Sequence, residues 1–216
     1  MISTMLPLIE SFASIQGEST HAGKRCFFIR LAGCNLRCNY CDTTYAWNGG
    51  KNVSIAELTR MALDSRIPLV EVTGGEPLIH PETPALLQSL LDAGLEVLLE
   101  TNGARPIANV PQKVRKILDC KLPDSGMSEH NLFENYSLLT PHDEVKFVVS
   151  SRNDFDWAIR VIGEYDLENK TPNLIFSPVW GRVSFENLAQ WVIDSGRRIR
   201  MQLQMHKLIW GDRKGV

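Results

Sequence analysis

The sequence predicts an α/β fold: a partial, open TIM-like barrel of about six parallel β-α units with an N-terminal strand extension. Three observations predict it. Apolar strand-like runs alternate with helical patterns, the rhythm of a mostly parallel sheet. Several runs carry polar residues at every second position, which places them on one face. The 216 residues suffice for one well-cored domain and fall short of a complete eightfold barrel, so 1–216 reads as a single domain.

The N-terminal extension runs from Leu6 to Gln16 and ends in the polar turn Gln16-Gly17-Glu18. Strands follow at Arg25 to Ala32, Leu69 to Thr73, Val97 to Thr101, Lys116 to Asp119, Glu144 to Val149, Asn173 to Ser177 and Arg200 to Gln204. Helices are expected at Ser54 to Ser65, Pro84 to Ala93, Glu129 to Tyr136, Asp154 to Tyr165 and Ser184 to Ser195. Ser54 followed by Glu57 has capping-box spacing, and Asp154 and Ser184 are of the types that cap helix starts. The alternating sets are Glu71 with Thr73, and Arg198, Arg200, Gln202, Gln204 and His206. Helices covering the outside of the sheet turn these sets toward a polar lumen.

Hydrophobic residues make up 44% of the chain and charged residues 22%, a globular balance with no apolar run long enough for a bilayer. Met1 to Ile9 lacks the pattern of a secretory leader, so a cytoplasmic protein with no membrane partner is expected. With a net charge of -2 and no dense basic stripe, no nucleic-acid partner is expected either; Arg197, Arg198 and Arg200 read as a solvated strand end. The partner chemistry points to a small molecule.

Three of the five cysteines crowd into Cys34-Asn35-Leu36-Arg37-Cys38-Asn39-Tyr40-Cys41, while Cys26 and Cys120 stand apart. In an intracellular chain such crowding favours metal over disulfides. A 4Fe-4S cluster ordinarily takes four thiolates, so a C-x3-C-x2-C loop leaves one iron open. A structural zinc site or an electron-transfer cluster remains an alternative, with Cys26, Cys120 or a histidine as the fourth ligand. At the end of the second long strand, Thr73-Gly74-Gly75-Glu76-Pro77 pairs two glycines that admit close approach with a carboxylate and carbonyls able to accept from a charged amine. Alone such a turn is commonplace; beside the cysteine loop it gains meaning.

The three-cysteine loop with Tyr40 before its last thiol, followed by Gly-Gly-Glu-Pro, resembles the radical S-adenosylmethionine (SAM) superfamily. More narrowly, Ser14-Ile15-Gln16-Gly17-Glu18, Phe28-Ile29-Arg30-Leu31-Ala32-Gly33, Cys41-Asp42-Thr43, Lys121-Leu122-Pro123-Asp124-Ser125-Gly126-Met127 and Gln204-Met205-His206-Lys207-Leu208-Ile209-Trp210 resemble the 7-carboxy-7-deazaguanine synthase family. The resemblance implies a homodimeric enzyme that converts 6-carboxy-5,6,7,8-tetrahydropterin to 7-carboxy-7-deazaguanine with loss of ammonia, on the way to queuosine and related 7-deazapurines. It implies a 4Fe-4S cluster, SAM and Mg2+, and an electron donor such as flavodoxin or ferredoxin. A deoxyadenosyl radical formed from SAM would take a hydrogen from the substrate.

Carried over by position, the resemblance gives Cys34, Cys38 and Cys41 the cluster and Thr43 the Mg2+. Tyr40, Cys41, Asp42, Gly75, Asp119, Cys120 and Lys121 fall at SAM contacts. Ile15, Gln16, Gly17, Glu18, Arg30, Thr73, His206 and Val216 fall at substrate contacts, with Gln16 and Glu18 reading the pterin edge, Arg30 the substrate carboxylate, and Val216 contributing a terminal carboxylate. Asp119-Cys120-Lys121 departs from the family's Ser-Pro-Lys and keeps only the lysine, so the contacts of Asp119 and Cys120 do not follow from the pattern and Cys120 reads as a buried thiol rather than a ligand. Two other functions share the cysteine loop: an activase that installs a glycyl radical on a partner protein, and a noncatalytic iron-sulfur or zinc module.

Overall fold

The computed structural model describes residues 4–216, so the first three residues of the segment read for a leader lie outside it. Among the described residues one nine-stranded sheet runs β3(Lys51–Ser54), β1(Met5–Ile15), β2(Arg25–Leu31), β4(Leu69–Gly74), β5(Glu96–Thr101), β6(Arg115–Cys120), β7(Glu144–Val149), β8(Leu174–Pro178), β9(Arg200–Met201). From β2 to β9 every pairing is parallel, whereas β1 lies antiparallel between β2 and β3. The sheet is open, as expected, with β3 and β9 at its edges.

Alternation decides which side chain goes where. Phe27, Ile29 and Leu31 of β2, Val70 and Val72 of β4, Val97 and Leu99 of β5, and Val145, Phe147 and Val149 of β7 join one large apolar core with the helices. Apolar residues at helical spacing give α1(Ile55–Asp64), α2(Thr83–Asp92), α3(Arg152–Glu164) and α5(Phe185–Ser195) their buried stripes, Leu86, Leu87 and Leu90 of α2 being fully buried. The opposite strand face turns into the lumen. Its floor is a small cluster of Cys26, Phe28, Leu69, Leu98 and Ile117, with Phe12 stacked on Phe28 at 5.0 Å between ring centroids.

Ser54 and Ser184 cap α1 and α5 as the sequence predicts, accepting from the Glu57 and Asn187 amides. The cap of α3 is Ser151 rather than Asp154; the Asp154 carboxylate instead accepts from Asp124 N and Ser150 N, tying α3 to the loop after β6. The helix expected over Glu129 to Tyr136 is replaced by 3-10 turns at Ser128–His130 and Phe133–Leu138. Asn131 and Asn135 explain this: their amides bond the carbonyls of Lys121, Ser128, Gly103 and Arg105, fixing loop geometry in place of a helical ladder.

The last strand stops at Met201 instead of Gln204, and the chain turns into α6(Met205–Trp210). The expected alternation is therefore broken. Gln204 and His206 reach the lumen, while Arg197 and Arg198 bond Glu168 on the surface. Between α3 and β8, the chain forms the short α4(Leu167–Lys170) that carries Glu168, and like β3 it has no clear sequence signal. Among the described residues, no helix is long and apolar enough to cross a membrane.

Candidate active site

The C-terminal ends of the parallel strands open into a cavity of about 610 Å³, where barrel chemistry collects. Around it stand all the carried-over residues except one: Cys34, Cys38, Cys41, Tyr40, Asp42, Thr43, Gly75, Asp119, Lys121, Ile15, Gln16, Gly17, Glu18, Arg30, Thr73, His206 and Val216. Cys120 is the exception. One residue out of phase with Asp119 and Lys121, its side chain faces the outer core, where burial pushes its thiol up to about 12, so the thiol does not border the cavity.

The cysteine loop follows β2 and is held from both ends. Asn39 N and Nδ2 donate to the Ser125 and Asp124 carbonyls at 3.0 Å, Arg37 donates to Cys34 O, and its guanidinium stacks 4.7 Å from the Trp47 ring. Tyr40 hydroxyl donates to Val148 O at 3.1 Å, anchoring the loop to the end of β7. The Gly74-Gly75 turn sits against this loop because neither residue has a side chain. A Cβ on Gly75 would collide with Gly33 O and Cys34 Cβ, and one on Gly74 with Leu31 O.

Glu76 does something other than expected. It is fully buried below the turn, accepting from Leu78 N, Thr101 Oγ1 and Asn102 N at 2.9, 2.8 and 2.6 Å. Its carboxylate braces the glycine turn from below and does not border the cavity. Asn102, positioned by that bond, turns its amide toward Cys34 Sγ and Asn35.

The three loop thiols are free and border the cavity. Cys26 lies on the lumen floor among Phe28, Leu69, Leu98 and Ile117, and Cys120 lies outside, so neither can complete a fourth thiolate. Among the described residues no three His, Cys, Asp or Glu side chains converge on a single metal ion. A three-thiolate rim beside an open cavity fits a cubane with one iron left for another ligand. Burial pushes the Cys38 and Cys41 thiols above the ordinary cysteine value, which links their deprotonation to metal binding.

Along the same rim Asp119 accepts from Lys121 Nζ at 2.7 Å through Oδ2, while its Oδ1 is buried with no partner among the described residues. That oxygen is an acceptor in need of a donor, fitting a SAM hydroxyl or amine. Thr43 hydroxyl donates to Asp42 Oδ1 at 2.9 Å, leaving the Thr43 oxygen lone pairs for a hard cation.

Deeper in the lumen lies a charge network that sequence reading identified only in part. Lys146 of β7 bonds Glu18 at 2.8 Å and also Glu100 of β5; Gln16 donates to Glu71 of β4 and accepts from Glu18 N. Glu71 is 2% exposed, and its burial, reinforced by the Glu100 charge, drives its carboxyl well above the usual glutamate value. Burial opposes charge on Glu18 too, but Lys146 and His206 prevail and hold its carboxyl low. Lys146 was not assigned from the sequence, although its period-two phase with Glu144 and Val148 carries the signal. Gln16 engages both ends of its amide inside this network, which shapes the turn, and both Gln16 and Glu18 border the cavity.

The Radical SAM superfamily model matches residues 28–192. The 7-carboxy-7-deazaguanine synthase of Koribacter versatilis is 42% identical over 98% of this chain and all of its own length, and that of Chlorobaculum tepidum 44% over both whole lengths. The crystal structure of QueE from Escherichia coli superposes with a TM-score of 0.76 at 21% identity, covering 94% of this chain and 95% of that one, a likeness of fold. The chain belongs to the radical SAM superfamily and, within it, to the 7-carboxy-7-deazaguanine synthase family.

Proposed function

We propose that this chain, working as a single 1–216 domain, converts 6-carboxy-5,6,7,8-tetrahydropterin to 7-carboxy-7-deazaguanine with loss of ammonia inside this cavity. The observation that carries the reading is a rim of three free thiols and no fourth, set over a lumen lined with groups for a planar, carboxylated heterocycle. Cys34, Cys38 and Cys41 hold the 4Fe-4S cluster. When bound, cluster and SAM together supply one-electron cleavage of the sulfonium and a hydrogen-abstracting carbon radical.

The chain's own residues bind, orient and enclose. Gly75, Tyr40, Asp42, Asp119 and Lys121 border the SAM side, where the missing Cβ of Gly75 keeps the turn close to Cys34. Glu18, anchored by Lys146 and by Gln204 at 2.6 Å, presents a fixed acceptor to the pterin donors. Ile15, Gly17, Thr73 and His206 shape the same wall, and Arg30 takes the substrate carboxylate. Thr43 holds Mg2+, and Val216 closes the pocket. The protein works as a cytoplasmic homodimer, reduced by a small donor such as flavodoxin or ferredoxin.

A cavity of about 610 Å³ bordered by residues 211–216 suits a small molecule better than a peptide loop entering from a partner protein. Anaerobic incubation with dithionite, SAM, Mg2+ and the carboxypterin should yield 7-carboxy-7-deazaguanine by mass spectrometry. Cofactor cleavage without that product would reject the pterin reading. Thr43→Ala should leave the cluster intact and weaken the Mg2+ dependence of turnover; an unchanged Mg2+ titration removes Thr43 from the metal.

A further inference from the structure

Arg30 is aimed by a device that lies outside the cavity wall. In β1 the pairing with β2 steps from Leu8 opposite Leu31 to Glu10 opposite Arg30, so Ile9 is an extra residue, a bulge. Without it Glu10 would share the outward phase of Leu8 and leave Arg30 unpartnered. With it, Glu10 Oε1 accepts from Arg30 Nε and from the Tyr45 hydroxyl, both at 2.8 Å. The Arg30 and Glu10 side chains are 16% and 23% exposed, so this pairing is sheltered from solvent. Bulges recur beside active sites because they re-aim side chains in this way.

The bond uses Nε, and among the described residues no hydrogen bond engages the two Nη groups. Holding a guanidinium by Nε fixes its plane and leaves the terminal fork for a carboxylate. Glu10 does not itself border the cavity, whereas Arg30 and Tyr45 do. A second, independent observation concerns the C-terminal segment. Lys214 Nζ lies 4.3 Å from the Tyr45 ring centroid, and a Cβ on Gly215 would come within 3.7 Å of Glu10 Oε2. The residues that orient Arg30 therefore also seat residues 214 and 215 against the cavity.

We infer that Glu10 and Tyr45 are positioning residues for substrate binding: they set the plane of the Arg30 fork, beside which the C-terminal segment packs. This rests on the substrate reading above. A purely structural role for Glu10 would cost stability alike with or without Arg30. A positioning role acts only through it.

The test is anaerobic steady-state kinetics with the carboxypterin on Glu10→Ala, Glu10→Gln, Tyr45→Phe, Arg30→Ala and the Glu10→Ala/Arg30→Ala double variant, with iron content and thermal midpoint recorded for each. Glu10→Ala should raise KM about 10- to 100-fold, with a smaller loss in kcat. Glu10→Gln, whose amide oxygen still accepts from Nε, should recover most of that loss, and Tyr45→Phe should show a smaller rise. In the Arg30→Ala background, Glu10→Ala should add less than about twofold. Equal effects of Glu10→Ala in both backgrounds, or a KM unchanged in Glu10→Ala and Tyr45→Phe, overturn the inference while leaving the substrate reading intact. A wild-type enzyme that does not turn over the carboxypterin overturns the substrate reading, and the inference with it. If Glu10→Ala does not fold, the KM of Tyr45→Phe measured with Arg30 intact and in the Arg30→Ala background decides by the same criterion.

Discussion

At the residue scale, the lumen concentrates charge that water would ordinarily screen, and Glu71 shows the consequence. Its carboxyl is raised by burial and by Glu100, so the folded chain holds a proton there that the unfolded chain has released. Where the native state binds more protons, stability falls as pH rises. The contribution is whole below the ordinary glutamate value of 4.5 and is lost as pH climbs toward the elevated one. Glu71→Gln keeps an acceptor for Gln16 and removes the titration, so its thermal midpoint relative to wild type should increase from pH 5 to pH 8. A constant difference across that range would show that Glu71 is ionised in the fold. Gly75→Ala tests the other side of the site. The new Cβ has Gly33 O and Cys34 Cβ in its way, so equilibrium binding of SAM should weaken at least about tenfold; unchanged binding would take the turn out of the cofactor site.

Residue identity was legible where chemistry shows as spacing. C-x3-C-x2-C followed by Gly-Gly-Glu-Pro located the rim, and period-two phase placed Arg30 and Thr73 in the lumen. Cys120 was misassigned for want of the same phase argument, since its neighbours Asp119 and Lys121 point the opposite way. Glu76 was misread because its partners, Thr101 and Asn102, are distant in sequence and only the fold brings them under the turn. The Ile9 bulge has no local signature, and so Glu10 could not be assigned to the lumen from sequence.

At the element scale, local chemistry and sheet order agree wherever a helix carries its own cap. Ser54 accepts from Glu57 N at 3.2 Å, and Ser54→Ala should cost about 1 kcal/mol of stability in denaturant melts without altering the iron content. A loss of cluster in that variant would mean that α1 supports the site more directly than its packing shows. The connection from β6 to β7 marks the limit of periodicity. Residues 129–136 have helical spacing of apolar positions, yet Asn131 and Asn135 bond distant backbone and turn the segment into a brace for Gly103 and Lys121. That brace supports the same loop whose Ser125 carbonyl holds Asn39 of the cysteine loop.

At the scale of the whole molecule, the open sheet leaves a seam between β1 and β9, and the site is built across it. Gln202 Nε2 donates to Ser19 O at 2.7 Å, Met205 N to Gly17 O at 3.0 Å, and Gln204 Nε2 to Glu18 at 2.6 Å, while His206 occupies the space that a side chain on Gly17 would need. Among the described residues the parallel run β2 and β4 to β9 has seven strands, and these bonds wall its pocket without an eighth parallel strand. Gln204→Ala should lower stability by about 1–2 kcal/mol and speed amide exchange over residues 202–206; exchange at the wild-type rate would mean the seam is held elsewhere.

On the proposed function three thiols, Cys34, Cys38 and Cys41, and no others hold a cluster with an iron open to SAM. The most direct measurement is electron paramagnetic resonance of the dithionite-reduced, reconstituted protein, with and without SAM, for wild type, Cys38→Ala and the Cys26→Ser/Cys120→Ser double variant. The double variant should keep the full 4Fe-4S signal, with SAM shifting it as in wild type, while Cys38→Ala should lose it. A signal that disappears in the double variant, survives in Cys38→Ala, or does not respond to SAM would contradict this reading.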